Sequence, residues 1–170
     1  PIKLNGKYFL LAQIKGDALG SGQVHAGLVA GNVDIKYLKK KDILGANLGG
    51  ECSDEVGMDL SNLEPTSAVF MVDERETGQV NFAYVAQKTD IDNVLTSYES
   101  EIRNKFQEGK KLEVAGLALI PLEGDLSKLV DGKLSDIQCF VPSETGLDRI
   151  ISTREVRPYT AAFMDYVSNS

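Results

Sequence analysis

The sequence predicts a mainly β fold: a two-sheet antiparallel sandwich of jelly-roll type, with one amphipathic helix inserted at residues 89–108. Seven or eight short apolar segments are bounded by glycine or proline, which is typical of strands. Only one long window has helical periodicity, whereas a doubly wound α/β sheet needs a helix after nearly every strand. An α+β arrangement is the alternative.

Size and composition predict one folded domain over residues 1–170. The chain is 42% apolar and 25% charged, which is ordinary globular usage. No apolar run reaches the roughly 18 residues needed to span a bilayer, and the first residues lack the apolar stretch of a secretory signal. We therefore expect no membrane span.

The charge pattern disfavours general nucleic-acid binding. The net charge is −7, because residues 1–50 carry seven lysines against three aspartates while the remainder is strongly acidic. Phosphate contacts normally require an excess of basic residues. Lys39, Lys40 and Lys41, with nearby Lys36, form the one basic cluster. They either contact an anion or keep a sheet edge solvated.

Cysteine and histidine are scarce. Cys52 and Cys139 are the only thiols and His25 is the only histidine. A chain of this length needs no disulfide, so we predict free thiols in a reducing, cytoplasmic compartment. An ordinary structural zinc site needs four nitrogen or sulfur ligands. We therefore predict no metal and no cofactor.

The first half of the chain is predicted to be extended and loop-rich. Residues 7–14 form an apolar strand between two glycines, and residues 23–30 and 33–38 are predicted as further extended segments. The Gly-rich, Asn-rich stretch Gly45–Asn62 is predicted to be a long surface loop. Binding and catalytic residues often lie in such loops.

A β-hairpin is predicted next, from residues 67–73 and 79–86. Val80, Phe82 and Tyr84 alternate with smaller or polar residues, the period-2 pattern of a half-buried strand. The charged loop between the strands is of normal hairpin length.

The predicted helix follows the hairpin. Thr89 or Asp90 can cap its start and Gly109 ends it. Its apolar residues recur at helical spacing on one face: Ile91, Val94, Leu95, Tyr98, Ile102 and Phe106.

Three more strands are predicted after the helix, at residues 111–120, 134–141 and 149–156. Pro121, Pro142 and Pro158 are expected to end them. The tail that follows has aromatic residues at helical spacing and predicts a short helix or an arm that docks on another copy of the chain. Its aromatic residues are Tyr159, Phe163 and Tyr166.

Residues 69–120, about 52 of 170, resemble the core of the thirty-kilodalton superfamily of plant-virus movement proteins. An apolar strand closes on Asp73-Glu74-Arg75, and a second strand, a helix and another apolar strand follow. The resemblance implies a jelly-roll ancestry shared with small virus coat proteins. It also implies that Asp73, with Arg75, is a structural keystone and that nucleic acid is a partner, which the net charge disfavours.

Two functions follow from these observations. The first is a non-enzymatic, self-associating viral β-sandwich subunit of coat or movement protein type, with no catalytic residue and copies of itself as partner. The second is a small cytoplasmic enzyme or ligand-binding domain that uses Gly45–Asn62, with Cys52, His25 or Asp73 near a pocket.

Overall fold

The fold is given by a computed structural model. It describes residues 2–16, 22–25, 27–29, 32–64, 70–74, 78–86, 90–122, 129–130, 132–157, 160, 164 and 166–167. Within these ranges the strands are β1 Ile2–Leu4, β2 Lys7–Lys15, β3 Val24–His25, β4 Phe70–Glu74, β5 Gln79–Ala83, β6 Val114–Pro121, β7 Leu129–Val130, β8 Lys133–Ser143 and β9 Gly146–Glu155. The helices are α1 Ile43–Val56 and α2 Ile91–Gln107.

Seven strands form one antiparallel sheet. Its order is β1-β2-β6-β8-β7, with β3 also paired to β2 and β9 also paired to β8. Strands β4 and β5 form a separate two-stranded sheet. The predicted mainly β chain is confirmed, while the described residues do not show a two-sheet sandwich.

The large sheet curls until its outer strands meet at one end. Val24 in β3 forms a parallel bridge with Val156, which follows β9. The Arg157 N–H donates to the Val24 carbonyl at 3.2 Å, and the Gln23 side chain donates to Glu155 at 3.4 Å. These contacts tie the first third of the chain to its last third.

The predicted helix at residues 89–108 is confirmed as α2. The Asp90 side chain caps it by accepting from the N–H groups of Asp92 and Asn93. Val94, Tyr98 and Ile102 are the buried residues of its apolar stripe. No helix within the described ranges has the length and apolar character needed to cross a membrane.

The prediction of a surface loop at Gly45–Asn62 is wrong. This segment forms most of α1, followed by a 3-10 helix at Leu60–Asn62. The Asp42 side chain caps α1 by accepting from the Gly45 N–H at 2.9 Å, and Gly57 ends it in the left-handed conformation at φ 68°.

Burial explains why α1 forms despite its glycines. A glycine costs a helix roughly 1 kcal/mol relative to alanine. Cys52 and Val56, one turn apart, are both fully buried. Packing this side of the helix into the core that it shares with α2 and the sheet removes apolar surface from water and offsets the low propensity.

Other elements differ from the prediction at their ends. The strand expected at residues 23–30 is only Val24–His25, and the extended segment expected at 33–38 contains a 3-10 helix at Ile35–Tyr37. Strand β8 does not stop at Pro142, which pairs with Leu147 across the β8–β9 hairpin. The predicted β4–β5 hairpin is confirmed, as are the strands β6, β8 and β9.

Two apolar cores lie on opposite faces of β2, because successive side chains of a strand alternate. Leu11 belongs to the core shared with the helices, whereas Leu10 and Ala12 belong to the core on the other face. The helix-side core is formed by Ile2, Leu11, Cys52, Val56, Met58, Leu63, Val94, Tyr98, Ile102, Val114, Leu117, Leu119 and Phe140. The second core is formed by Leu10, Ala12, Ile14, Val24, Ala118, Ile120, Leu134, Ile137, Cys139, Val156 and Met164.

Candidate functional site

The residues implied by the resemblance lie mostly outside the described part of the chain. Asp73 lies in β4 opposite Val80, but its side chain and all of Arg75 are not among the described residues. In the predicted self-association tail, Tyr159 and Phe163 also fall outside, while Tyr166 lies in a helical segment and is 38% exposed.

The basic cluster precedes α1. Lys39, Lys40 and Lys41 are all exposed, in the turn that leads to the capping residue Asp42. They are solvated, as expected, and they place positive charge just before the helix.

Cys52 does not have the surroundings of a nucleophile. Its side chain is fully buried in the helix-side core. Burial, with Asp59 and Glu55 nearby, raises the pKa of the Cys52 thiol from 9.0 to about 11. The thiolate is the reactive form, so the thiol at neutral pH is inert. Of His25, the structure describes the backbone, which pairs with Gln13.

A buried ion pair joins β2 to α1. Lys15 Nζ lies 2.8 Å from Glu55 Oε1, and the two side chains are only 6% and 2% exposed. Lys15 is the last residue of β2, at a register irregularity in its pairing with β6. Its side chain leaves the strand on the helix side, so its positive charge lies beside the second half of α1.

Gln13 lies on the same side of β2, two residues earlier. Its side chain is fully buried, and its Nε2 donates to Glu55 Oε2 at 3.4 Å. Its Oε1 has no hydrogen-bond partner within the described structure. A buried carbonyl oxygen without a donor is uncommon in a native protein and indicates a ligand or ordered water.

Other carboxylates surround this pair. Glu51 lies one turn before Glu55 on α1 and is half-buried. Partial burial, with Glu55 and Glu113 as the nearest negative neighbours, raises the Glu51 pKa, and Asp54 adds to this effect. Lys15 opposes it. The site, hereafter the α1 carboxylate site, therefore consists of Gln13, Lys15 and Glu55, with Glu51 one helical turn before Glu55.

The α1 carboxylate site is rich in oxygen ligands, but it is not a closed metal cage. Among the described residues, no group of three or more His, Cys, Asp or Glu side chains is arranged to hold a metal ion. A cation here would need oxygen atoms from a second molecule to complete its coordination.

Sequence reasoning missed this site because α1 was predicted to be a loop. The signal was nevertheless present: Glu51 and Glu55 are four residues apart, so a helix places them on one face. The partners Gln13 and Lys15 come from a strand 36 or more positions earlier.

Two further surfaces of the protein differ from this site. A groove of about 540 Å³ lies between α2 and the β8–β9 turn, with Phe106, Arg103 and Pro142 in its lining. On the β4–β5 hairpin, Met71, Val80 and Phe82 are 58%, 50% and 48% exposed. Neither surface brings together buried polar groups as the α1 carboxylate site does.

The comparisons with known proteins do not assign the chain. No family model matches the sequence, and no curated protein or solved structure matches it.

Proposed function

We propose that the chain is a small enzyme that uses a divalent cation to hydrolyse a phosphate ester or anhydride, with the α1 carboxylate site as its centre. The observation that carries this proposal is the buried contact of Glu55 with Lys15 and Gln13, beside an amide oxygen that has no donor. The proposal uses the segment that the second sequence hypothesis named, which is helical from Gly45 to Val56.

The oxygen-rich ligand set favours a hard cation. Carboxylate and amide oxygens are the ligands of Mg²⁺ and Ca²⁺. Mg²⁺ is often bound by only one or two carboxylates, with substrate phosphates and water completing its shell. That mode fits a site in which three protein carboxylates are not already arranged around one point.

The lysines before α1 support a phosphate-bearing substrate. Glu51 is the ninth residue of α1, and a rise of 1.5 Å per residue puts it about 12 Å along the helix from Ile43. Lys39, Lys40 and Lys41 precede the helix and are exposed. A substrate extending from the cation toward the helix start would bring its negative charge to them.

The chemistry is hydrolysis by water. The water oxygen forms a bond to phosphorus, the bond from phosphorus to the leaving oxygen breaks, and the water proton passes to a carboxylate. Glu51 suits the role of proton acceptor, because its half-buried position beside other carboxylates raises its proton affinity. The electron pair of the broken bond stays on the leaving oxygen, and a cation bound at Glu55 would supply charge neutralisation at the phosphate oxygens.

Phosphate release from nucleotides, sugar phosphates and inorganic pyrophosphate, with and without Mg²⁺ or Mn²⁺, tests the proposal. Cation-dependent release that Glu51→Gln and Glu55→Gln abolish would support it. Glu144→Gln is the matched control, because Glu144 is exposed in the β8–β9 turn. Absence of turnover together with absence of Mn²⁺ binding would contradict it.

A second candidate function is the self-associating viral subunit, with a jelly-roll sandwich as its finer architecture. The exposed apolar side chains of the β4–β5 hairpin favour it, because Met71 and Phe82 are cross-strand partners. A two-stranded sheet is marginal by itself and gains stability from a covered apolar face. Under this proposal the chain functions in the cytoplasm, where its two buried thiols stay reduced.

Light scattering at micromolar concentration tests self-association. The full chain, a Met71→Ser/Phe82→Ser variant and a chain truncated after residue 158 are compared. Oligomers lost in either variant would support the subunit function. A monomer in all three preparations would contradict the subunit function.

A further inference from the structure

The segment before α1 exposes large apolar side chains next to lysines. Ile35 is 80% exposed and Leu38 is 56% exposed, and Val33 close by is exposed as well. Single apolar residues at a surface are normal, whereas several in one short segment mark an interaction site. The same stretch carries exposed lysines at positions 36, 39, 40 and 41. Residues 33–41 therefore combine exposed apolar groups with local positive charge.

The backbone brings the two most exposed apolar residues together. Ile35–Tyr37 form a 3-10 helix, and the Leu38 N–H donates to the Ile35 carbonyl at 3.2 Å. A 3-10 helix has three residues per turn, so Ile35 and Leu38 lie on the same face of this turn.

The turn is fixed on α1. The Asp34 N–H donates to the side chain of the buried Asn47 at 2.9 Å. Tyr37 packs against the backbone of Gly50, where an added Cβ would overlap the tyrosine hydroxyl. Asn47 and Gly50 are three residues apart and share a face of α1. The turn is therefore held in place from one side while its apolar pair stays in solvent, and binding through that pair requires little further ordering.

We infer that residues 33–41, hereafter the basic tip, bind the surface of a lipid bilayer that contains anionic headgroups. The side chains of Ile35 and Leu38 enter the boundary between headgroups and acyl chains, and the lysines at positions 39–41 pair with the headgroup charges. The inference goes beyond the proposed function and does not rest on it. The proposed function uses the same lysines for a substrate, but it gives Ile35 and Leu38 no part.

Charge complementarity favours an anionic bilayer as the partner. Residues 1–50 carry seven lysines against three aspartates, although the whole chain has a net charge of −7. An anionic surface therefore attracts the basic tip, while salt screens the repulsion from acidic groups more than about 10 Å away.

The size and chemistry of the basic tip disfavour other macromolecules. One turn cannot supply the roughly 800 Å² that each partner buries in a stable protein–protein interface. Single-stranded nucleic acids are bound by aromatic side chains that stack on the bases. The most exposed apolar residues of the basic tip are aliphatic instead.

Co-sedimentation of the full chain with lipid vesicles in EDTA tests the inference. Vesicles of phosphatidylcholine alone are compared with vesicles that also contain phosphatidylserine. We expect binding only to the second kind. Raising the salt from about 0.1 M to about 1 M should weaken it, because the Debye length falls from about 10 Å to about 3 Å. EDTA removes divalent cations, so the result does not depend on cation binding at the α1 carboxylate site.

Two variants separate the apolar and the charged contributions. Ile35→Ser/Leu38→Ser should lower the binding constant about tenfold or more, because it removes the apolar groups that enter the bilayer. Lys39→Gln/Lys40→Gln/Lys41→Gln should also lower it about tenfold or more and should remove most of its salt dependence.

Each variant has a matched control. Ile151→Ser is the apolar control, because Ile151 is 63% exposed on β9. The charge control removes three exposed lysines that are far apart in the sequence, and it gives the same net charge: Lys7→Gln/Lys111→Gln/Lys133→Gln. Both controls should bind the phosphatidylserine vesicles as the wild type does.

The outcomes separate this inference from the proposed function. No binding to either kind of vesicle would overturn the inference and leave the proposed function standing. Binding that Ile35→Ser/Leu38→Ser leaves unchanged would also overturn it, because the lysines alone would then explain adsorption. Binding to a single-stranded oligonucleotide but not to vesicles would replace the bilayer by nucleic acid. Vesicle binding that requires the basic tip, in a chain that neither releases phosphate nor binds Mn²⁺, would support the inference and contradict the proposed function.

Discussion

Glu55 accepts a 2.8 Å hydrogen bond from Lys15, and this contact joins the end of β2 to the last turn of α1 with both side chains almost fully removed from water. Desolvating two charges is expensive, and their attraction repays the cost only when the geometry is good and further hydrogen bonds are made. Gln13 supplies one such bond to Glu55. The arrangement places charge inside an otherwise apolar contact between helix and sheet.

The first prediction concerns the energetics of this pair. Glu55→Leu removes the carboxylate that faces the buried Lys15 ammonium and should destabilise the protein by about 3–5 kcal/mol. The Lys15→Met/Glu55→Leu double variant removes both charges and should lose much less. Urea unfolding of the two singles and the double completes a double-mutant cycle. Additive losses would mean that the two residues do not interact as described.

The second prediction concerns Glu51. Its folded pKa is raised by burial and by neighbouring carboxylates, so the ionised side chain costs stability at neutral pH. Any stability that Glu51 contributes is complete below its ordinary pKa of 4.5 and is lost as pH rises through the raised value. Glu51→Gln should therefore raise the Tm at pH 7.

The pH dependence is the check on this explanation. The difference in Tm between Glu51→Gln and the wild type should shrink at pH 4, where the carboxyl is protonated. An equal gain at both pH values would attribute the effect to packing instead. A gain in stability combined with loss of cation binding would be the trade-off expected of a functional residue.

The third prediction concerns Cys52. Burial raises its pKa from 9.0 to about 11, so the unfolded chain releases this proton at lower pH than the folded chain. Stability is complete below about pH 9 and should fall as pH rises toward 11, by up to about 3 kcal/mol. The slope should be shallower in Cys52→Ala, although that variant is less stable overall because it opens a cavity. Equal slopes in urea unfolding over this range would contradict the prediction.

The difference between the two helices explains what the sequence could predict. In α2 the apolar residues form one stripe among charged ones, and Asp90 marks the start, so both ends are predicted within two residues. In α1 the glycines at positions 45, 49 and 50 lower the helix propensity, although Asp42 and Gly57 cap its two ends. Burial of Cys52 and Val56 in the core that α1 shares with α2 and the sheet favours the helix.

The site was harder to predict than the fold because its members meet only through tertiary structure. Lys15 and Gln13 look like ordinary polar residues of a half-buried strand. Their burial depends on α1 crossing that side of β2, which no local pattern in the sequence reveals. The long-range contact between Val24 and Val156 was beyond local prediction for the same reason.

The last prediction concerns the link between α2 and β6. The Tyr98 hydroxyl donates a 2.8 Å hydrogen bond to the Val114 carbonyl, and the ring is 1% exposed. Tyr98→Phe keeps the ring packing but removes the donor of this buried hydrogen bond, which should cost about 1–3 kcal/mol. Tyr84→Phe is the control, because Tyr84 is only half-buried.

Urea unfolding of Tyr98→Phe measures the loss of stability. Mn²⁺ binding by the same variant tests whether the effect extends to the α1 carboxylate site. Val114 follows Glu113 and pairs with Lys15 in the sheet, so the hydrogen bond fixes one wall of the α1 carboxylate site. A variant that loses stability and also binds Mn²⁺ more weakly would show that α2 positions this wall. Lost stability with unchanged binding would limit the role of Tyr98 to the core, and an unchanged unfolding midpoint would contradict the hydrogen bond itself.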